Sequence, residues 1–176
     1  MIDIRAATPG DVASIVDILE ELDRFYGVTD FPALDVRRQQ VDVLLFGPQP
    51  AAHLVLAKEE THTIGLASYS LLWPAAGVTA SLYLKELYVR RSRRRRGVGA
   101  QLMAHICSIA VEAGCSRVEW TTDRDNPDAQ AFYEQLGAPV TTEKVMYRVD
   151  PANLIRLAHR HSAADPLADS STQPRT

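Results

Sequence analysis

Gly97 and Gly99 stand one residue apart, directly behind Arg94, Arg95 and Arg96, in the part of the chain best suited to hold an anion. Glycine has no Cβ to keep a ligand off the backbone. The first turn of a helix also leaves N–H groups unpaired and partly positive. Val98 and Ala100, with Gln101 to Ile106 behind them, read as that helix, and Lys85-Glu86-Leu87-Tyr88-Val89 reads as the strand before it. A strand, a basic Gly-x-Gly turn and a helix suit a phosphate-bearing cofactor. Two residues outside the turn could handle protons, Glu86 in the strand and Tyr133 far downstream. Each has a plainer reading. Glu86 could form a salt bridge or face solvent, and Tyr133 shares a helix stripe with Phe132 and Leu136, as a core residue would.

Charge is distributed unevenly. Of 19 lysines and arginines, six arginines lie between Arg90 and Arg96, which leaves 13 basic residues against 22 acidic ones elsewhere. One small positive spot on an acidic protein suits a compact polyanion such as a pyrophosphate. A nucleic-acid binder would spread its basic residues over a broad face with aromatic platforms. The plain alternative is a solvated arginine loop. Arg90, Arg91 and Arg93 are expected on the solvated part of the loop or near a ribose phosphate, and Arg94 or Arg96 on the pyrophosphate.

At 176 residues and 46% hydrophobic, the chain suits one domain with a single core. It contains no apolar stretch of about 18 residues and no basic-then-apolar start, so a cytoplasmic protein without membrane contact is expected. Cys107 and Cys115 fit no metal-ligand spacing, and no metal is expected. Cys107 reads as a helix core position and Cys115 as the entry to a strand.

Residues 2–7 alternate like a strand. Thr8 and Pro9 then open a helix to about Tyr26, in which Val12, Ile15, Val16, Leu19 and Leu22 keep helical spacing. A second helix is predicted from Asp35 to Phe46, with strands at 53–58, 63–72 and 81–89. After the helix that ends near Gly114, residues 118–122 alternate as a strand. Asn126-Pro127 opens another helix, closed by Gly137. Val140 to Val149 is expected to form a hairpin or bent strand pair, and Asn153 to His161 a short helix. A mobile tail is expected from Ser162. Residues 1–150 are thus read as one domain and 151–176 as a C-terminal helix and tail.

Three blocks in this order carry a family resemblance: Leu84-Lys85-Glu86-Leu87-Tyr88-Val89, then Arg94-x-x-Gly97-x-Gly99-Ala100, then Asn126-x(5)-Phe132-Tyr133-Glu134-Gln135-Leu136-Gly137-Ala138. The chain resembles the GNAT superfamily of N-acetyltransferases over residues 2–149, most securely over 82–138. That resemblance implies an α/β fold with a mixed, mostly antiparallel sheet of six to seven strands. About four helices would flank it, and its central strands would splay apart. It also implies acetyl-CoA as co-substrate and acetyl transfer to a primary amine by direct attack in a ternary complex. The pyrophosphate would lie over the amides of Arg95, Arg96, Gly97, Val98, Gly99 and Ala100. The pantetheine arm would run along Leu87, Tyr88 and Val89 as an added strand, near Phe132. Tyr133 would protonate the departing thiolate and Glu86 would handle the amine proton. Asn126 would cap its helix and contact the cofactor arm.

The acceptor is less legible. The region around Val118-Glu119-Trp120-Thr121 to Asn126, with the Phe132-Tyr133 pair, resembles the diamine and polyamine branch, but Lys85 stands where that branch often has an acid. Glu20, Glu21, Asp23, Phe25, Tyr26 and Asp30 could line a cationic amine pocket, or could simply be a solvated helix face. Trp120, Asp123 and Asp125 lie where an acceptor could approach, although Trp120 also suits the core. A small-molecule amine is the expected acceptor. Alternatives are a protein or peptide amine, a non-catalytic acyl-CoA-binding module and a nucleic-acid binder. The segment after Gly137 could pair two copies as a homodimer.

Overall fold

The fold is described from a computed structural model, which places residues 1–142 and 144–159. By its internal contacts the chain divides into two compact units, Met1–Leu136 and the remainder from Gly137.

The first unit is built on a five-stranded sheet in the order β1-β2-β3-β4-β5. The strands are β1 Ile2–Ala6, β2 His53–Glu59, β3 His62–Leu72, β4 Ser81–Val89 and β5 Val118–Glu119. β1 to β4 pair antiparallel, and β5 joins β4 in parallel. Its helices are α1 Val12–Phe25, α2 Leu34–Phe46, α3 Val98–Glu112 and α4 Pro127–Gln135. Strand alternation separates two apolar clusters. Leu54, Leu56, Leu66 and Tyr88 pack with Ile15, Ile18 and Leu22 of α1. Val55, Ala57, Ala67, Leu82 and Leu84 pack with Val98, Leu102, Met103, Ile106 and Ala110 of α3. Period-2 strands thus meet helices on both faces of one sheet.

Five strands replace the expected six to seven. Among the described residues from Gly137 onward there is no strand, so the expected hairpin over 140–149 is absent. Alternation favours extended backbone, but a strand exists only within a hydrogen-bonded ladder, and no ladder includes the described residues of this segment. Val140, Val145, Met146 and Tyr147 are exposed. The second unit's helix is α5, Pro151–Ala158, capped by the Asp150 carboxylate on the Asn153 N–H at 2.8 Å. The predicted tail from Ser162 lies outside the described residues. β5 is also shorter than predicted. It pairs β4 only at Leu82 and Tyr83, so Leu84 to Val89 have no β5 partner.

β3 and β4 slip register between Ser68 and Tyr69. Ser68 faces Glu86 and Tyr69 faces Leu84, so Lys85 is an unpaired extra residue. The bulge reverses which face each side chain meets. Leu82 and Leu84 lie on the α3 face before it, and Leu87 and Val89 do so after it. Tyr88 therefore packs toward α1, and Glu86, two residues away, is turned to that side as well.

The entry to α1 is pinned by one carboxylate. Asp11 is 4% exposed. It accepts two bonds from Arg5 at 2.8 and 2.9 Å, one from Lys58 at 2.8 Å, and two from the Thr8 hydroxyl and N–H at 2.8 and 3.0 Å. β1, β2 and α1 meet there. The Arg5 hydrogen bonds lead the interactions that hold the Asp11 carboxyl far below the usual carboxylate range, against the cost of burial. A depressed pKa contributes stability that is complete above the ordinary carboxylate range and lost as pH falls through the folded value. Asp11→Ala should lower unfolding stability near pH 7 by about 3 kcal/mol, because Lys58 and Arg5 lose their shared counter-ion. Urea melts should show this deficit at neutral pH and a smaller one as the pH drops below about 4.

Candidate active site

The basic turn reaches α3 through two left-handed residues, Arg95 at φ 58° and Gly97 at φ 77°. Gly97 is the N-cap of α3 and has no side chain to satisfy the helix's first amides. Its carbonyl accepts the Gln101 N–H at 3.1 Å. Among the described residues, the N–H groups of Val98, Gly99 and Ala100 have no acceptor. These amides stand at the positive end of a 15-residue helix, an arrangement that could hold an anion. Gly99 is also needed for packing. A Cβ there would lie 3.3 Å from Cζ of Phe132, so Gly99 lets the ring of α4 sit against the start of α3.

The arginines divide more sharply than their run suggests. Arg90 was expected on the solvated loop or near a ribose phosphate, but it is held inside the protein. Its Nε donates to the Thr63 carbonyl at 2.7 Å, and its two terminal nitrogens pair with Glu21 and Asp17. Arg93 donates to Glu59 at 2.9 Å. Arg94 donates from Nε to the Val89 carbonyl at 3.0 Å, and its guanidinium lies 5.0 Å from the Phe25 ring centroid and 5.4 Å from that of Tyr88. Among the described residues, Arg91, Arg95 and Arg96 form no ion pair. Arg95 and Arg96 lie just before the α3 amides in the chain.

The candidate proton-handling groups influence one another electrostatically, and Glu86 belongs to the stretch of β4 without a β5 partner. Burial is the largest influence on Glu86 and raises its pKa. Lys85 and a hydrogen bond from Tyr26 lower it, while Asp123 and Asp23 raise it. The net direction is upward. Tyr133 comes from α4, with its ring centroid 5.0 Å from Trp120 and 5.1 Å from Phe132. Burial, then the charges of Glu86 and Tyr26, push its phenol up to about 12. Burial also raises Tyr26, with Glu86 and Asp123 adding to the effect. Residues from α1, β4, the loop after β5 and α4 thus share one electrostatic neighbourhood.

The packing reading of Tyr133 is observed, because it lies against the α3 core cluster, and the charge of Glu86 also acts on its phenol. Trp120 likewise packs on that cluster and against Tyr133. Asn126 caps α4, its Oδ1 accepting the Ala129 N–H at 3.1 Å. Of the acidic set on α1, Glu20 is occupied by Arg24 and Arg37, and Glu21 by Arg90, Tyr88 and Arg91. Only Asp23 and Tyr26 of that set join Glu86 electrostatically. Cys107, expected in the helix core, is exposed, because α3 turns Met103 and Ile106 inward instead. Sequence reasoning missed the bulge at Lys85 and the grip of Glu21 on the loop. No local pattern marks either.

Comparison with known proteins agrees with this geometry. The model of the Acetyltransferase (GNAT) family matches residues 15–138. A thialysine N-epsilon-acetyltransferase from Sus scrofa is 24% identical over 148 residues, covering 80% of this chain and 85% of that one. An integron cassette protein from V. cholerae superposes with a TM-score of 0.80 at 30% identity, covering 89% of this chain and 97% of the other. An aminoglycoside N-acetyltransferase solved with CoA shares the fold, with a TM-score of 0.69 at 22% identity over 85% of this chain and 95% of that one. A glycine-rich turn opening α3, a β4 edge left open below it, and the family match over most of the chain lead to one assignment: this protein belongs to the GNAT family of acetyltransferases, which draw the acetyl group from acetyl-CoA.

Proposed function

We propose that the protein transfers the acetyl group of acetyl-CoA to the primary amine of a small cationic molecule, by direct attack in a ternary complex. The observation that carries this reading is the charge of Glu86 acting on the buried Tyr133 phenol of α4, with Glu86 inside the stretch of β4 that has no β5 partner. The pyrophosphate sits over the free amides of α3, flanked by Arg95 and Arg96. The pantetheine amides pair with the Leu87–Val89 edge, where no β5 residue competes. Phe132 borders that path, and the Asn126 side chain stands at the start of its helix.

Glu86, Asp23 and Asp123 supply the negative field that would attract a cationic amine, with Tyr26 bonded to Glu86. The relative named for thialysine acts, by that name, on the ε-amine of a small molecule. Proton transfer from a free ammonium to an ordinary carboxylate is uphill by roughly 8 kcal/mol. A raised Glu86 pKa reduces that gap without closing it. Glu86 therefore accepts the amine proton through water and holds the amine electrostatically.

Burial makes Tyr133 a weaker acid than a free phenol. Donation from a pKa of about 12 to a thiolate near 8.5 is uphill by roughly 5 kcal/mol. Its main contribution is a hydrogen bond to the sulfur as negative charge develops, with the proton following late. A hydrogen bond to a charged group is worth about 1.5–3 kcal/mol, so Tyr133→Phe should lower kcat about 10- to 100-fold. The dissociation constant for acetyl-CoA, measured by calorimetry, should change less than about twofold. An unchanged kcat would remove Tyr133 from the reaction.

Glu86→Gln should abolish the acidic limb of the kcat/KM profile, a limb that lies above the ordinary carboxylate range in the native enzyme because burial raises Glu86. A raised pKa means that folding favours the protonated acid. The associated stability is present below the ordinary carboxylate range and lost as pH rises through the folded value. At pH 7 ionised Glu86 therefore weakens the fold, and Glu86→Gln should raise the melting temperature while activity falls. A lower melting temperature would mark Glu86 as structural.

A further inference from the structure

Glu21 lies on α1, away from any reacting atom, yet it holds three groups at the base of the cofactor turn. Its Oε1 accepts the Tyr88 hydroxyl at 3.0 Å and the Arg91 N–H at 3.2 Å, and its Oε2 pairs with Arg90. Arg90 is fixed further, with its N–H on the Ile64 carbonyl at 2.9 Å and its Nε on the Thr63 carbonyl at 2.7 Å. Its carbonyl accepts the Arg93 N–H at 2.8 Å and closes the turn Arg91–Arg93. From there the chain has only a few residues in which to reach Gly97. The start of the turn is thus bound to α1 and β3, while the amides at its far end stay unpaired.

We propose that Glu21 is a positioning residue for the donor, setting the angle at which the turn 90–97 presents the α3 amides to the acetyl-CoA pyrophosphate. This inference rests on placing the pyrophosphate over those amides. The chemistry fits the task. A single carboxylate bonds a main-chain N–H, a guanidinium and a phenol belonging to the strand end and the turn. Burial opposes its charge, but the Arg91 N–H, Arg90 and Tyr88 together hold its pKa below the usual range. It is therefore ionised at neutral pH. Its neighbour Glu20 pairs with Arg24 and Arg37, well removed from the turn, and provides a matched control on the same helix.

The test compares two donors, acetyl-CoA and S-acetylpantetheine, which lacks the pyrophosphate. Losing charge-assisted bonds at this base should raise the KM for acetyl-CoA about tenfold in Glu21→Ala. The kcat should change less than about twofold, and the KM for S-acetylpantetheine should stay within about twofold. Glu21→Gln keeps an acceptor for Tyr88 and Arg91, so it should restore part of the KM and serves if the alanine variant does not fold. Glu20→Gln should leave both KM values unchanged. Equal rises for both donors would show a merely structural role and overturn the proposal, as would no rise for either. If the native enzyme itself does not distinguish the two donors, the pyrophosphate placement fails, and this inference fails with it.

Discussion

Between Ser68 and Tyr69, β3 passes over Lys85 without pairing it, and that one unpaired residue orients the rest of the site. Strict alternation through β4 would put Glu86 on the α3 face with Leu82 and Leu84. There its carboxylate would lie among Leu102, Met103 and Ile106. With the bulge, Leu87 and Val89 take over that face, and Glu86 turns to the α1 side with Tyr88, where Tyr26 and Asp23 act on its charge. The same strand then continues without a β5 partner. An acid aimed one way and an unpaired backbone edge aimed another are both consequences of how β4 is built.

α1 touches both regions of the proposed site along its length. Glu21 grips the base of the donor turn, and Asp23 and Tyr26, less than two turns on, face Glu86. The helix is rigidly seated, with Ile15, Ile18 and Leu22 buried against β2 and β3, and Asp11 bound at its entry to β1 and β2. Arg94 adds a second connection, because its guanidinium lies over Phe25 of α1 and Tyr88 of β4 at once. The basic turn and the surroundings of Glu86 are therefore both fixed against one element.

Much of this was legible from residue order. Apolar spacing located α1 and α3, glycines marked the ends of helices, and the Gly97-x-Gly99 pair located the start of α3 within a residue. Asn126 read correctly as a cap because capping is a local interaction between a side chain and an amide three residues on. What could not be read depended on partners distant in sequence. Alternation over 140–149 promised strands, but alternation does not supply a neighbour. The ion pairs of Arg90 join residues about seventy positions apart, and nothing near Arg90 distinguishes it from Arg95. The bulge at Lys85 arises from two strands settling against each other and leaves no mark in composition.

The division of labour among the arginines also governs encounter. At a distance beyond the roughly 8 Å screening length of physiological salt, an approaching polyanion does not distinguish bound from unbound arginines. It meets the sum of six guanidinium charges and the carboxylates of Asp17, Glu21 and Glu59 paired among them. The long-range pull is thus weaker than the run of arginines suggests, and capture speed is moderated accordingly. Close in, Arg90 and Arg93 are already matched by carboxylates, whereas among the described residues Arg95 and Arg96 form no ion pair and the first α3 amides have no acceptor. On the proposed reading, the turn would hold a small polyanion at short range more than gather polyanions from afar.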